Sequence, residues 1–439
     1  MGSIQSQDAA GQIYIQTDQS FYIAGDTVTG KVYVNLQQNF PSNIVNLKIK
    51  GYEHSDWSER HQRTVSYQEN GQSKTRTENY YTYHKGRNTF FCHNFPLYSW
   101  QDCSFMPAGQ YTFPFQFILY NHLPGTYHEN GSYQNIQYKS NIKYKVKAEI
   151  ISGKRKIKDK QYLVIREPLK NLVQAQYGEG TVKPTTCCCI SQGTSVIRCH
   201  FDRNSYCPGE TAYILADIDN SECDLAVKSL ECTFKKILKL KSDSGHETVI
   251  IKIIQIRDFP GCPARQTAMN ENRRQASIQL LAENGTLIQP STKGQLVNCQ
   301  YQLKVECKLE GCTCCSNVPD VEVPICLVSP PAIGYGQVQA PVNWNPQVYD
   351  VKNVVFSNDY MYAQQAPINN MGGMNMQYPQ MNNNNQIPYQ QQNYQPQPLS
   401  SQQQPFQQPS QQQQCYQPYA NDYSAPQAQI NGTQQQLIQ

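Results

Sequence analysis

Residues 18–26 read DQSFYIAGD and residues 202–210 read DRNSYCPGE, with Asp, Tyr, Gly and an acid at matching positions and a constant offset of 184 residues. Each copy lies between two alternating stretches: IYIQT and TVTGKVYVNL flank the first, VIRCHF and TAYILADID the second. Alternation with period two predicts strands, so each copy reads as a tight turn near the start of a β-domain. Gly25 and Gly209 supply the backbone freedom such a turn can require, and Pro208 pre-sets φ before its glycine. A repeat at fixed offset predicts two similar units.

The chain has 439 residues, enough for two or three domains, each with a real core. A net charge of +4 is too small to point to nucleic acid. With 30 Tyr, 3 Trp and 16% charged residues, the composition fits a β-rich fold plus an uncharged tail. No apolar run approaches the ~20 residues that span a bilayer, and the N-terminus lacks a signal-peptide h-region. These features predict a cytoplasmic chain whose 17 cysteines are thiols. The opening MGSIQS places Gly2 and Ser6 at the spacing of an N-myristoylation signal, so Gly2 is a candidate lipidation site; one acyl chain gives only reversible attachment.

Further along, residues 44–51 alternate with Ile44, Leu47 and Ile49 available to a core, and residues 60–88 form a polar excursion that turns at Asn70-Gly71, a strong hairpin signal. Residues 142–150 are the clearest strand, with Ile142, Tyr144, Val146, Ala148 and Ile150 on one face and Lys143, Lys145 and Lys147 on the other. Its counterpart is residues 300–309, which extends the repeat. Residues 171–194 lack strong periodicity and read as a linker; residues 169–175 carry the only hint of helical spacing. Beyond residue 331 Gln, Asn and Pro take over, and residues 360–439 contain a single charged side chain, Asp422. So little aliphatic material predicts a disordered, self-associating tail.

Several motifs in order resemble a known family. Tyr22-x-x-Gly25-Asp26, Leu47-x-Ile49-x-Gly51, Trp57-x-Glu59, residues 108–117 (AGQYTFPFQF) and Leu123-Pro124-Gly125 are similar to the N-terminal domain of arrestins, nearest the α-arrestin (arrestin-domain-containing) branch. Cys188-Cys189, Tyr206-Cys207-Pro208-Gly209-Glu210, Tyr301-x-Leu303-x-Val305 and Val323-Pro324-Ile325 resemble the C-terminal domain. The resemblance implies an all-β fold of two tandem immunoglobulin-like β-sandwiches. It places a leader at 1–12, a first sandwich at 13–168, a linker at 169–193, a second sandwich at 194–330 and the Gln/Asn/Pro/Tyr-rich tail at 331–439. It also implies a non-enzymatic adaptor that binds membrane-protein cargo for sorting, endocytosis or signalling, at the plasma membrane or endosomes. Many α-arrestins recruit ubiquitin ligases through Pro-Pro-x-Tyr; this chain has none, and Pro330-Pro331 with Tyr335 is the nearest approach. A retromer-type coat subunit is the alternative within the fold.

Two constellations could carry chemistry. Between Lys139 and Lys160 nine basic residues face Glu149 and Asp159, for a net +7. Lys143, Lys145 and Lys147, with Lys154, Arg155, Lys156, Lys158 and Lys160 in and after the following turn, would attract phosphorylated cargo tails or acidic phospholipids, or form a solvated face. Cys187 and Cys189, with Cys312 and Cys315, could supply four thiolates to zinc if the fold joins them, and a metal- or redox-responsive scaffold would follow; buried unreactive thiols are the other reading. No hydrolase, metalloprotease, phosphate-loop or dinucleotide motif is present. His200 beside Asp202 reads as structural, and Tyr378-Pro-Gln-Met381 as a chance match to a sorting signal.

Overall fold

The computed structural model describes residues 9–19, 21–169, 172–186, 190–311, 318–329, 344–354 and 356. In the first domain the strands are β1 (Gly11–Thr17), β2 (Phe21–Ile23), β3 (Thr27–Leu36), β4 (Ile44–Glu69), β5 (Gln72–Ser99), β6 (Gly109–Ile118), β7 (Tyr127–Tyr133), β8 (Ile136–Ser152) and β9 (Arg155–Arg166). One sheet runs β1-β3-β6 and the other β2-β9-β8-β4-β5, with β7 also paired to β8. Val32, Val34, Phe113 and Phe115 from the first sheet and Leu47, Ile49, Val146 and Ala148 from the second are buried in the core between them.

Next come β10 (Gln176–Val182), β11 (Thr185–Thr186), β12 (Ile190–Ser191), β13 (Gly193–Phe201), β14 (Ser205–Tyr206), β15 (Thr211–Cys223), β16 (Val227–Lys241), β17 (Glu247–Cys262), β18 (Thr267–Ala268), β19 (Arg274–Gln279), β20 (Thr292–Lys293), β21 (Val297–Leu309) and β22 (Asp320–Leu327). Here β13-β15-β19 repeats β1-β3-β6, and β14-β22-β21-β16-β17 repeats β2-β9-β8-β4-β5. The match extends to direction: β2 runs parallel to β9 and β14 parallel to β22. Among the described residues the only helical element is the 3-10 turn Asn270–Asn272; residues 169 and 172–175, the described part of the stretch with helical spacing, are not helical.

The repeated turn is built twice with the same bonds. Ile23 N–H donates to Asp26 Oδ2 at 2.7 Å and Cys207 N–H to Glu210 Oε2 at 2.7 Å, so the acid closes each turn three residues back. Gly25 (φ 102°) and Gly209 (φ 94°) take the left-handed backbone just before the acid. Tyr22 and Tyr206, both 1% exposed, pin the preceding loop by accepting from Gln19 N–H and Arg203 N–H.

Two sequence boundaries are corrected. The stretch read as a linker at 169–193 contains β10, which pairs antiparallel with β13 along its length. Its glycines hid it: a Cβ at Gly178 would stand 2.3 Å from Val321 Cγ1, and one at Gly180 2.2 Å from the Asp320 carbonyl, so tight packing on β22 excludes the apolar residues that would have marked a strand. The stretch read as tail from 331 re-enters the fold at residue 344. There β23 (Gln347–Val348) and β24 (Lys352–Val354) add to β6 as parallel strands. Aromatic burial holds them: Tyr349 stacks on Phe113 at 4.8 Å, and Phe356, 8% exposed, stacks on His93 at 4.7 Å. Trp344 Nε1–H donates to Thr112 Oγ1 at 3.1 Å.

Asn70 (φ 52°) and Gly71 (φ 77°) turn the β4–β5 hairpin, as the sequence predicts. Past Glu59, paired to Ile136, β4 has no β8 partner, and the two strands continue alone. Such an arm lacks a core, and its side chains supply the cohesion: His61 stacks on Tyr80 at 5.0 Å, Arg63 pairs with Glu78 at 3.1 Å, and Arg76 lies over Tyr67 at 5.6 Å.

Carboxylates of the first domain hold the second. Buried Glu53 accepts from Gln295 N–H at 3.0 Å, Val297 N–H at 3.2 Å and Asn88 Nδ2 at 2.9 Å. Glu167 accepts from Lys293 N–H at 2.5 Å and Thr292 Oγ1 at 2.9 Å, and Glu129 pairs with Lys236 at 2.6 Å. Both sandwiches thus belong to one compact unit.

Candidate functional site

Because β4, β8 and β9 are neighbours and each buries alternate residues, their other residues share one outer face. Register places Lys48, Lys147 and Lys160 in one cross-strand row, Lys50, Lys145 and Tyr162 in the next, and Tyr52 and Lys143 in a third. Neighbouring strands lie about 4.8 Å apart and same-face residues roughly 7 Å apart along each, so these lysines are rooted on a close two-dimensional grid. Tyrosine rings floor it: Lys50 lies 5.2 Å and Lys145 6.0 Å from the Tyr52 ring, and Lys160 5.4 Å from that of Tyr162. Among the described residues Lys48, Lys50, Lys143, Lys145 and Lys160 form no ion pair within 4.0 Å.

One end of the grid is internally neutralised. Glu149 Oε2 lies 2.5 Å from Lys147 Nζ and 2.6 Å from Lys156 Nζ. Burial pushes the Glu149 carboxyl up, but the two lysine bonds together outweigh it and hold the group below its ordinary value. Burial, with Lys156 beside it, holds Lys147 below its ordinary value against the pull of Glu149, while Glu149 raises Lys156. A lowered carboxylate stabilises the fold fully above the ordinary value of 4.5, and that contribution is lost as pH falls through the folded value. Glu149→Gln should therefore shrink the drop in Tm between neutral pH and pH below 4.5, as followed by circular dichroism.

Of the basic residues singled out by sequence, Lys143, Lys145, Lys147 and Lys160 thus meet on the grid, and Lys156 turns to Glu149. Exposed Lys158 lies opposite Glu149 on the same face. Lys154 stands at the exposed turn after Gly153, and Arg155 lies over the buried Phe40 ring at 5.0 Å, away from the grid. Sequence reasoning missed Lys48, Lys50, Tyr52 and Tyr162. The alternation that assigned Leu47 and Ile49 to the core already placed Lys48 and Lys50 opposite.

The corresponding face of the second domain differs. On β16, β21 and β22, Lys235 pairs with Glu322 at 2.5 Å, Lys308 with Glu306 at 2.5 Å and Glu231 at 3.2 Å, and Lys304 with Glu306 and Asp320. The same strand arrangement therefore carries a largely paired set of lysines in one domain and, beyond the Glu149 end, an unpaired set in the other. The charge is a property of these residues and not of the fold.

Cys187, Cys189, Cys312, Cys315 and Gly2 lie outside the described residues, as does Tyr378. Among the described residues no group of three or more His, Cys, Asp and Glu is placed to hold a metal ion. Burial pushes the Cys232 and Cys307 thiols up to about 12, which leaves them protonated packing groups. His200 packs on Tyr177 at 4.9 Å. No helix among the described residues is long and apolar enough to cross a membrane.

Two like sandwiches with a shared turn chemistry and a carboxylate-bonded seam define an arrestin-type architecture, and family models match it in tandem. The arrestin (or S-antigen) N-terminal domain matches residues 11–169 and the arrestin (or S-antigen) C-terminal domain residues 191–332. The chain belongs to the arrestin family, in its arrestin-domain-containing branch. It is similar to arrestin domain-containing protein A of Dictyostelium discoideum, with 25% identity over 243 residues covering 55% of this chain and 40% of that protein. It is also similar to arrestin domain-containing protein 5 of Bos taurus, with 26% identity over 211 residues covering 46% of this chain and 57% of the relative. The human protein of the same name is 24% identical over 212 residues, covering 46% of this chain and 55% of its own length. The chain thus spans about half the length of the relatives it matches. Neither the coat-subunit reading nor the metal- or redox-scaffold reading gains support from these matches.

Proposed function

We propose that this chain is a non-enzymatic, arrestin-like adaptor that works in the cytoplasm at the plasma membrane or endosomes. It binds membrane-protein cargo there for sorting, endocytosis or signalling. The grid of Lys48, Lys50, Lys143, Lys145 and Lys160 receives phosphate groups on cargo tails. The observation that supports this most is the contrast between the two domains: the first leaves Lys48, Lys50, Lys143, Lys145 and Lys160 without an ion pair, where the second pairs Lys235, Lys304 and Lys308 with acids on its own face. Lysines on adjacent strands can engage successive phosphates, and a phosphate's charge makes binding switchable. Membership of a family of arrestin-domain proteins supports the adaptor role.

Fluorescence anisotropy with a doubly phosphorylated peptide and its unphosphorylated form tests this reading. Replacing Lys48, Lys50 and Lys145 together by Gln should weaken the phosphopeptide at least about tenfold, and added salt should do the same. All three side chains are on the solvent face, so circular dichroism should be unchanged. Equal affinity for both peptides, or no loss in the triple variant, would sink the proposal.

A further inference from the structure

The cationic grid does not end at Tyr52. Following the register along β4, His54 stands between Arg87 and Asn141, and Asp56 between Lys85 and Lys139. Beyond them Tyr83 pairs with Ser58 and Tyr81 with Arg60, all on the same outer face. From Lys48 to Arg60 this surface is roughly 40 Å long. Over that length Asp56 is the acid on the β4 face, and Lys85 and Lys139 flank it. Burial holds His54 below its ordinary value; Asp56 opposes this, while Arg87, Lys139 and Lys85 add to it, as expected where one sign of charge dominates. At the far end two tyrosines stand out into solvent, Tyr81 at 49% and Tyr83 at 69% exposure, with ring centroids 6.4 Å apart.

A short phosphopeptide meets a few charges in line, as the grid supplies, and reaches no further along the face. This surface offers several rows of cations spread over neighbouring strands, with amphipathic rings at one end. That two-dimensional layout complements an array of lipid headgroups: lysines meet the phosphates, and tyrosines sit at headgroup depth. We propose that the outer face of β4, β5 and β8, including Lys85, Arg87, Lys139, Tyr81 and Tyr83, docks flat on an anionic membrane. This rests on the anion-binding reading above and extends it to residues that a short phosphopeptide on the grid would not reach.

The full chain is tested by co-sedimentation with phosphatidylserine-containing vesicles and with neutral phosphatidylcholine vesicles, alongside the phosphopeptide assay. Binding to the anionic vesicles alone, falling with salt, is expected. Lys85→Gln, Arg87→Gln and Lys139→Gln together should weaken it by at least about tenfold, at roughly one tenfold step or less per lost charge near the surface. Tyr81→Ser with Tyr83→Ser should weaken it about threefold or more. Neither set should change phosphopeptide affinity. Phosphopeptide binding without vesicle binding, or vesicle binding indifferent to both sets, would overturn the membrane inference and leave the peptide reading standing. Loss of both ligands in the wild-type chain would remove the two together.

Discussion

Replacing Glu53 by Ala is expected to uncouple the two sandwiches. In the wild-type chain this carboxylate, 1% exposed, accepts N–H groups from Gln295 and Val297 of the other domain. Alanine leaves those donors in a buried seam with no acceptor, which costs about 2–4 kcal/mol. Gly294 lies against this carboxylate, a Cβ there standing 2.2 Å from Glu53 Oε2, and as glycine it has no side chain to fill the space that alanine leaves. Differential scanning calorimetry should show a lower Tm and a broadened or split transition. Glu53→Gln keeps an acceptor oxygen for Gln295 but sets an amide donor near Val297 N–H, so its Tm should lie between wild type and alanine. An unchanged Tm in Glu53→Ala would mean that the seam does not depend on this group.

Phe356→Ala should release residues 344–356 from β6. The ring is in a nest formed by His93 at 4.7 Å, Tyr120 at 5.3 Å, Phe91 at 5.5 Å and Phe117 at 5.7 Å. Truncating a buried Phe typically costs about 3–5 kcal/mol. The paired backbone around it is short, Lys352–Val354 against residues 115–117, so the strands have little else to hold them. Hydrogen exchange at β6 should accelerate, and the Trp344 emission should shift to the red as its contact with Thr112 opens. Retained protection of β6 would show that Tyr349 and Trp344 suffice.

The duplicated architecture was legible because its turn chemistry is local. An acid that accepts an N–H three residues back must be followed along the chain at fixed spacing, and residues 26 and 210 keep it. The lysine grid was half legible. Alternation within β8 exposes Lys143 and Lys145, but the addition of Lys48 and Lys50 requires knowing that β4 lies beside β8 in a given register, which is set a hundred residues away. Arg155 shows the converse: it is adjacent in sequence to the other basic residues, yet one step of strand parity sends it to Phe40. Strand β10 and residues 344–356 were illegible for opposite reasons. The first carries glycines because β22 leaves it no space, and the second spreads its aromatic anchors too widely to show a strand period.

Residues 344–356 follow the second domain in sequence yet lie on the first. The polypeptide therefore crosses between the sandwiches twice, once outward after Arg166 and once on the return, and makes a closed circuit. Detachment at β6 would open that circuit, which couples the strand edge of one lobe to the freedom of the other.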